Sequence, residues 1–229
     1  MITSKEVKEI AYGFGADVCG IASVEKFAEA PQGFHPGDIF PDTKSVIVIA
    51  KRLPEGLFYT DNPVPYTTAK DVILHEVIRI SCELSLELER NDGALAVPIP
   101  SEPYEYWDED KREGKGILSL KHAGYLAGLG SIGKNSLLIN PEYGNWLILG
   151  AVLSNIALES DQVNDHKFCD DACTLCLDSC PVHAIDGSKV NQKLCRSNSG
   201  RVNEKGYFLY ICNTCRKVCP NRAGIRLPE

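Results

Sequence analysis

Eight of the ten cysteines in this 229-residue chain lie between Cys169 and Cys219, and their spacing constrains the fold more than any other feature. They form two runs, each closed by a Cys-Pro pair. The first is Cys169-x3-Cys173-x2-Cys176-x3-Cys180-Pro181; the second is a lone Cys195, a gap of sixteen residues, and Cys212-x2-Cys215-x3-Cys219-Pro220. Three thiols on one tight loop reach three corners of a compact polynuclear centre, and a remote cysteine has to close the fourth. The proline after each final cysteine fixes φ and stops the helix that the x3 spacing begins, so the chain turns away there.

The pattern is close to the bacterial ferredoxin run C-x2-C-x2-C-x3-C-P, in which the last cysteine of each run ligates the cluster held by the other. Two [4Fe–4S] clusters are the leading reading. Crossover then assigns Cys169, Cys173, Cys176 and Cys219 to one cluster, and Cys180, Cys195, Cys212 and Cys215 to the other. Cys169 and Cys195 depart most from the standard spacing, the first by one residue and the second by the long gap. Structural zinc is the bland alternative, but it favours two C-x2-C knuckles per ion and each run holds one. A disulfide framework calls for an oxidising compartment.

Length allows one well-buried core and a small second unit. No run approaches a membrane span, and the start Met1-Ile-Thr-Ser-Lys-Glu-Val-Lys-Glu lacks the apolar core of a signal peptide. The expectation is a cytoplasmic protein with no membrane partner. The net charge of −7 is uneven: residues 181–229 hold nine Lys/Arg against three Asp/Glu, a balance of +6, which leaves −13 for residues 1–180. The basic set is Lys189, Lys193, Arg196, Arg201, Lys205, Arg216, Lys217, Arg222 and Arg226. It offsets the negative charge of thiolate-ligated clusters or guides an acidic partner. The acidic remainder disfavours nucleic acid as the main partner.

Residues 4–14 read as a surface helix with Val7, Ile10 and Ala11 facing in. Asp17–Ala22 reads as a strand in which Cys19 is a small core residue. Ser45–Ala50 is an apolar, β-branched run that fits a strand buried on both faces. The segment from about Thr68 to Arg90 reads as the main core helix, striped by Val72, Ile73, Val77, Ile78, Ile80, Leu84, Leu86 and Leu88. His75 and Cys82 within it read as packed helix residues rather than ligands. Leu95–Ile99 is a strand that Pro98 confines to an edge. Residues 101–116, rich in charge and including Tyr104, Glu105, Tyr106 and Trp107, form either a solvated loop or a lid over a site. A helix from Ile117 to Ala127, a strand Leu137–Ile139 and a strand Trp146–Leu153 follow. The expected architecture is an α/β domain with a mixed sheet over residues 1–160, expected to bind a cofactor, then a small bacterial-ferredoxin-like two-[4Fe–4S] domain over residues 161–229.

Gly128-x-Gly130-x-x-Gly133-Lys134-Asn135 imitates both a dinucleotide fingerprint and a P-loop. Both motifs need a strand before and a helix after, so that phosphate meets a helix N-terminus. Here the order is reversed, and Asn135 stands where a P-loop needs a hydroxyl. A glycine-rich turn that brings backbone close to a ligand or a neighbouring element is the better reading.

The stretch His122-Ala-Gly-Tyr-Leu-Ala-Gly-Leu-Gly-Ser-Ile-Gly-Lys-Asn-Ser-Leu-Leu-Ile-Asn-Pro-Glu-Tyr-Gly144, joined to eight ordered cysteines, resembles the epoxyqueuosine reductase family and its relatives among corrinoid reductive dehalogenases. The resemblance is strong over residues 120–220 and loose before that, which fits a short, divergent member. It implies an α/β domain that binds cobalamin and two clusters that pass electrons singly to cobalt, with a modified base in tRNA as substrate. Under it, His122, Gly128, Gly130, Gly133, Lys134 and Asn135 are the cofactor contacts. Two departures lower tRNA epoxide reduction. The family's proton-donating aspartate, in a V-D-[ST]-[AG]-P setting, falls on Gly114 within Glu113-Gly-Lys-Gly-Ile-Leu-Ser119, where only a shifted loop would let Asp110 or Glu113 serve. The helical-repeat extension common in the family is also not seen after Cys219.

The functional expectation is an iron–sulfur oxidoreductase that takes electrons from a low-potential donor or redox partner protein to a cofactor or small-molecule substrate in the first domain. The alternative is a non-catalytic electron-transfer protein docking through its basic C-terminal face; tRNA epoxyqueuosine reduction proper ranks below both. A cofactor-sized cavity in the first domain separates the two leading readings.

Overall fold

The protein is described here by a computed structural model, covering residues 2–104, 106–111, 113–164 and 166–224. Glu105 and Arg226, named above, lie outside the described residues.

Helix α1 (Ser4–Gly13) starts at a capping box. The Thr3 hydroxyl accepts from the Glu6 amide while the Glu6 carboxylate accepts from the Thr3 amide, satisfying two groups that a helix start leaves open. Strand β1 (Val18–Ser23) follows, then a short helix α2 (Pro36–Ile39) and strand β2 (Ser45–Arg52). The long helix α3 (Pro63–Leu88) begins five residues earlier than its apolar stripe announces, because Asn62 caps it through the Val64 amide and proline is at home in a first turn. Its buried side includes Leu74, Val77, Ile80, Leu84 and Leu88. Val72 and Leu86, read as part of the core stripe, are 54% and 66% exposed. His75 and Cys82 also lie on the exposed side, so neither is a packed core residue.

Strand β3 (Ala96–Ile99) leads to a hairpin of β4 (Tyr106–Asp108) and β5 (Glu113–Lys115). Helix α4 (Leu120–Leu126) is shorter than the apolar pattern implies, and the glycine turn carries strand β6 (Ser131–Ile132), which pairs with β7 (Leu138–Ile139). Strand β8 (Leu147–Ser154) completes the main sheet, whose order is β1-β2-β8-β3.

Every pair in that sheet is antiparallel, which corrects the mixed sheet expected from the sequence. The reason lies in β8. Strands β2 and β3 run parallel, joined by α3 as a crossover, but β8 inserts between them and opposes both, so no parallel pair forms. Strand β2 sits centrally, with Ile47 opposite Ile21 on one side and Val152 on the other. Its two faces feed two cores. Ile47 and Ile49 join Val7, Val77, Ile80 and Leu84 beneath α1 and α3, while Val46 and Val48 join Ala123, Ala127 and Leu138 beneath α4. Cys19 is buried in the first of these, and burial pushes its thiol up to about 12, as suits a small core residue.

The C-terminal lobe is short-segmented: α5 (Leu175–Asp178), α6 (Gln192–Ser199), a hairpin of β9 (Gly200–Val202) and β10 (Phe208–Tyr210), and α7 (Thr214–Lys217). Little apolar area holds it together. No helix among the described residues is long and apolar enough to cross a membrane.

Candidate functional site

Two thiol-lined chambers occupy the C-terminal lobe. The first, of about 300 Å³, is lined by Cys169, Cys173, Cys176 and Cys219 together with Lys134 and Asn135. The second, of about 420 Å³, is lined by Cys180, Cys195, Cys212 and Cys215. Each chamber thus takes three thiols from one part of the chain and one from the far end of a run, the same division that crossover reasoning made. Helix α5 explains it locally: Cys176 lies inside the helix and Cys180 just past its end, so the two thiols leave in different directions. Cys180 Sγ also accepts the Ala184 amide at 3.3 Å, which fixes its orientation.

Burial pushes the Cys215 thiol up to about 11, and it raises Cys176, Cys195 and Cys219 as well, with neighbouring cysteines adding to the rise in each case. Four thiolates crowded into a poorly solvated chamber repel one another unless a cationic centre neutralises them. Among the described residues, no three His, Cys, Asp or Glu side chains close on a point as a single ion requires. Four sulfurs spread round a chamber of several hundred Å³ suit a cluster of irons better than one zinc held at about 2.3 Å by each sulfur. The donor set therefore fits two iron–sulfur clusters.

The glycine turn acts as a bracket between the lobes. Gly130, at φ +154°, leaves only 2.0 Å between an added Cβ and the Ile139 carbonyl; Gly128, at φ +75°, leaves 2.4 Å to that of Gln162. Both positions serve close backbone approach, and Gly133 packs on the Ile139 side chain. Lys134 Nζ donates to the carbonyls of Asp170, Asp171 and Cys173 at 3.2, 2.6 and 2.8 Å, gripping the first cysteine loop. The Asn135 amide, 5% exposed, donates to the Cys215 carbonyl at 3.1 Å and lines both chambers. His122 lies apart, its Nδ1 2.6 Å from the Ser119 hydroxyl. Of the six residues named as cofactor contacts, the structure brings Lys134 and Asn135 to the cysteines. It sets the three glycines against protein backbone and side chain.

Further bonds seat the lobe on the sheet domain. Arg216 Nη1 donates to the Asn145 carbonyl at 2.6 Å, Lys217 Nζ to that of Thr60 at 2.6 Å, and the Tyr210 amide to Thr67 Oγ1 at 2.9 Å. Part of the basic set is thus spent internally, while Lys189, Arg201 and Lys205 remain exposed.

The hairpin of β4 and β5 is pinned to α6, which carries Cys195. Gln192 Oε1 accepts from the Gly114 amide at 3.0 Å, and its Nε2 donates to the Gly114 carbonyl at 3.1 Å. The Arg196 guanidinium lies over the rings of Tyr104 and Trp107, at 5.5 and 5.0 Å from their centroids. Lys193 Nζ donates to the Asp110 carbonyl at 2.7 Å. An added Cβ at Gly114 meets the Tyr104 ring at 2.5 Å, so an aspartate has no room there in this arrangement.

A third cavity, of about 360 Å³, adjoins the second chamber and shares Tyr104, Ser136, Leu137 and Arg216 with it. It lies against the start of β8 and is further lined by Lys70, Lys121 and Asn145. Pockets for drug-sized ligands run to roughly 300–1,000 Å³, and a corrinoid with its nucleotide tail is much larger than such a ligand. This cavity by itself is too small to enclose a whole cobalamin. The sequence carried no signal for Gln192, Lys70 or Asn145 and named Arg196 only within the basic set; their roles depend on partners roughly 30 to 140 residues away or on burial alone.

No protein-family profile matches the chain. Similarity to individual proteins is clear. The epoxyqueuosine reductase of Bacillus cereus is 33% identical over 258 aligned positions, covering 94% of this chain and 64% of that protein. That of Staphylococcus aureus is 38% identical over 126 residues, covering 50% of this chain and 32% of the relative. Among solved structures, epoxyqueuosine reductase from Streptococcus thermophilus superposes with a TM-score of 0.68 at 20% identity, over 100% of this chain and 68% of that one. A catabolic reductive dehalogenase does so with a TM-score of 0.68 at 19% identity, over 93% and 31%. The chain spans between about a third and two thirds of the length of the curated relatives just named. It belongs to the epoxyqueuosine-reductase-like family, in a fold shared with the reductive dehalogenases.

Proposed function

We propose that this chain is an iron–sulfur reductase in which two [4Fe–4S] clusters lead electrons from the C-terminal lobe to an acceptor bound against the sheet domain. The observation that carries it is the division of eight cysteines into two chambers of four, the second of which opens beside a cavity walled by the sheet domain. When bound, the clusters supply one-electron transfer.

The chain's own residues do the rest. Cys169, Cys173, Cys176 and Cys219 hold the first cluster, and Cys180, Cys195, Cys212 and Cys215 the second. Lys134 keeps the first loop closed by taking three of its carbonyls, and Asn135 ties the second chamber to the bracket turn. Tyr104 and the hairpin pinned by Gln192 shield the second chamber from water. Electrons enter from a low-potential, acidic donor protein. Exposed Arg201 and Lys205 supply its electrostatic guide, and exposed Val202 and Phe208 supply apolar contact. A reductase is favoured over a bare electron carrier because the third cavity offers an acceptor a place beside the second chamber. Gly114, where the resemblance expects an aspartate, argues for an acceptor other than a tRNA base.

Anaerobic reconstitution with iron and sulfide tests the reading. Two [4Fe–4S] clusters bring about eight irons per chain, and Cys176→Ala and Cys215→Ala each cut that count to about half or less, because ligation and local folding are linked. Full iron retention in both variants overturns the assignment.

A further inference from the structure

The two chambers differ in charge. Arg196 and Arg216 line the second, and no Asp or Glu lines it among the described residues. Arg196 Nη2 donates to Gln192 Oε1 at 3.1 Å and Arg216 Nη1 to the Asn145 carbonyl at 2.6 Å; both acceptors are neutral, so both charges stay in place. The first chamber is lined by one cation, Lys134, and one anion, Asp170, which cancel. The second therefore sets two net positive charges beside its four thiols, and the first sets none.

The sulfurs differ as well. In the second chamber Cys180 Sγ accepts the Ala184 amide at 3.3 Å, and Cys212 Sγ lies 3.6 Å from the Thr214 hydroxyl. An iron-bound thiolate has no proton to give, so that hydroxyl turns and donates to the sulfur. Among the described residues no bond of ordinary distance and angle reaches a first-chamber sulfur; the Asn221 amide only eases the rise that burial imposes on Cys219. Burial opposes added negative charge in both chambers and most at Cys215, whose thiol Arg216 draws back down. It narrows the contrast between the chambers and does not reverse two charges set against none. The third cavity shares Tyr104, Ser136, Leu137 and Arg216 with the second chamber and no lining residue with the first.

We propose that Arg196, Arg216 and Thr214 give the second chamber the higher reduction potential, so that the first electron to enter rests there, beside the third cavity, while the first chamber keeps a second electron in reserve. Reduction adds one negative charge to a cluster, and nearby cations and hydrogen bonds to its sulfurs favour the reduced form. Each transfer moves one electron: the acceptor gains it from the second chamber, the first chamber refills the second, and the low-potential donor restores the pair. Two such transfers suit a closed-shell organic acceptor that gains two electrons and takes up two protons from water. The inference deepens the reductase reading by fixing which chamber serves the acceptor, and it rests on that reading for the clusters themselves.

The test is a potentiometric series on the full chain, anaerobic and iron-loaded, read by electron paramagnetic resonance. Two one-electron waves are expected, their midpoints apart by more than tenfold in the oxidised-to-reduced ratio, or about 59 mV for such a couple. Thr214→Val should lower the higher wave by roughly threefold or more in that ratio and leave the lower wave in place, because it removes one hydrogen bond to a charged sulfur. Thr214→Ser should restore the parent value. A merely structural role for Thr214 would change iron content or stability without moving the midpoint. Arg196→Met should lower the same wave by roughly tenfold or more, since it removes a full charge, and it decides the matter alone where Thr214→Val loses its iron. Coincident waves, a Thr214→Val shift in the lower wave or in neither, or an Arg196→Met shift in the lower wave each overturns the proposal. Iron counted on the same samples keeps the two readings apart. A count of about eight with the order absent or reversed removes only this proposal, and a low count in the parent chain removes the cluster assignment as well.

Discussion

The clamp between Gln192 and Gly114 gives a prediction whose size follows from geometry. Replacing Gln192 with methionine keeps the length of the side chain and removes both hydrogen bonds to the hairpin, at 3.0 and 3.1 Å. Gly114 is buried, so its amide and carbonyl lose their partner without gaining free access to water. At about 1 kcal/mol net for each bond, closure of the hairpin weakens by about 2 kcal/mol, or roughly 30-fold in the opening equilibrium. A hairpin with three residues per strand has little stability of its own to set against that loss. Hydrogen–deuterium exchange on the anaerobic protein reads it directly: amides of residues 106–115 should exchange roughly 30-fold faster while those of β2 and β8 do not change. Gln192→Glu keeps an acceptor for the Gly114 amide but sets a second oxygen against the Gly114 carbonyl, so it too should loosen the hairpin. Exchange in the methionine variant within about threefold of the parent would refute the reasoning, because the hairpin would then be held by Arg196 and Lys193 alone.

Two further outcomes are expected. Lys134→Met removes three bonds to the first cysteine loop from a partly exposed ammonium, worth about 2 kcal/mol in total after solvent competition, so iron loss to a chelator should quicken by roughly tenfold or more, and only for half of the iron. The Asp186 carboxylate is held down at about 2 by the amides of Lys189 and Ser188 and by the Ser188 hydroxyl. Its folded value lies below the unfolded one of about 3.9. The stabilisation of the Asp186–Lys189 turn is therefore complete above about pH 4 and is lost as pH falls toward 2; an NMR titration midpoint near 3.9 would contradict it.

The parts of this molecule that were legible in the sequence are those governed by short-range rules. The gathering of the eight cysteines round two chambers was readable because spacings of two and three residues put several thiols on one tight loop. The β2 strand was readable because six consecutive residues are buried on alternating faces and every one is apolar or small. The long helix was readable in its middle, but Val72 and Leu86 were misplaced because an apolar residue at a helix surface looks the same in sequence as one at its core. The antiparallel sheet was hidden for a topological reason: nothing in β2 or β3 records that a strand a hundred residues after β2 will part them. The glycine turn was legible as a place of close backbone approach, yet its work as a bracket depends on Asp170, Cys173 and Cys215, 36 to 80 residues away. Asn145 gave no signal, since a buried side chain with no hydrogen-bond partner leaves no pattern.

The insertion of β8 between β2 and β3 also orders events on the ribosome. Until residue 154 has been made, β2 and β3 each present an unpaired edge, and the sheet has no middle. Once β8 is in place, the carbonyls of Thr60 and Asn145 that receive Lys217 and Arg216 are set in a finished domain, fifteen residues before Cys169 begins the first cysteine run. Synthesis from the N-terminus therefore builds the seat before the lobe that docks on it, and the cysteines emerge to a surface already in place to gather them.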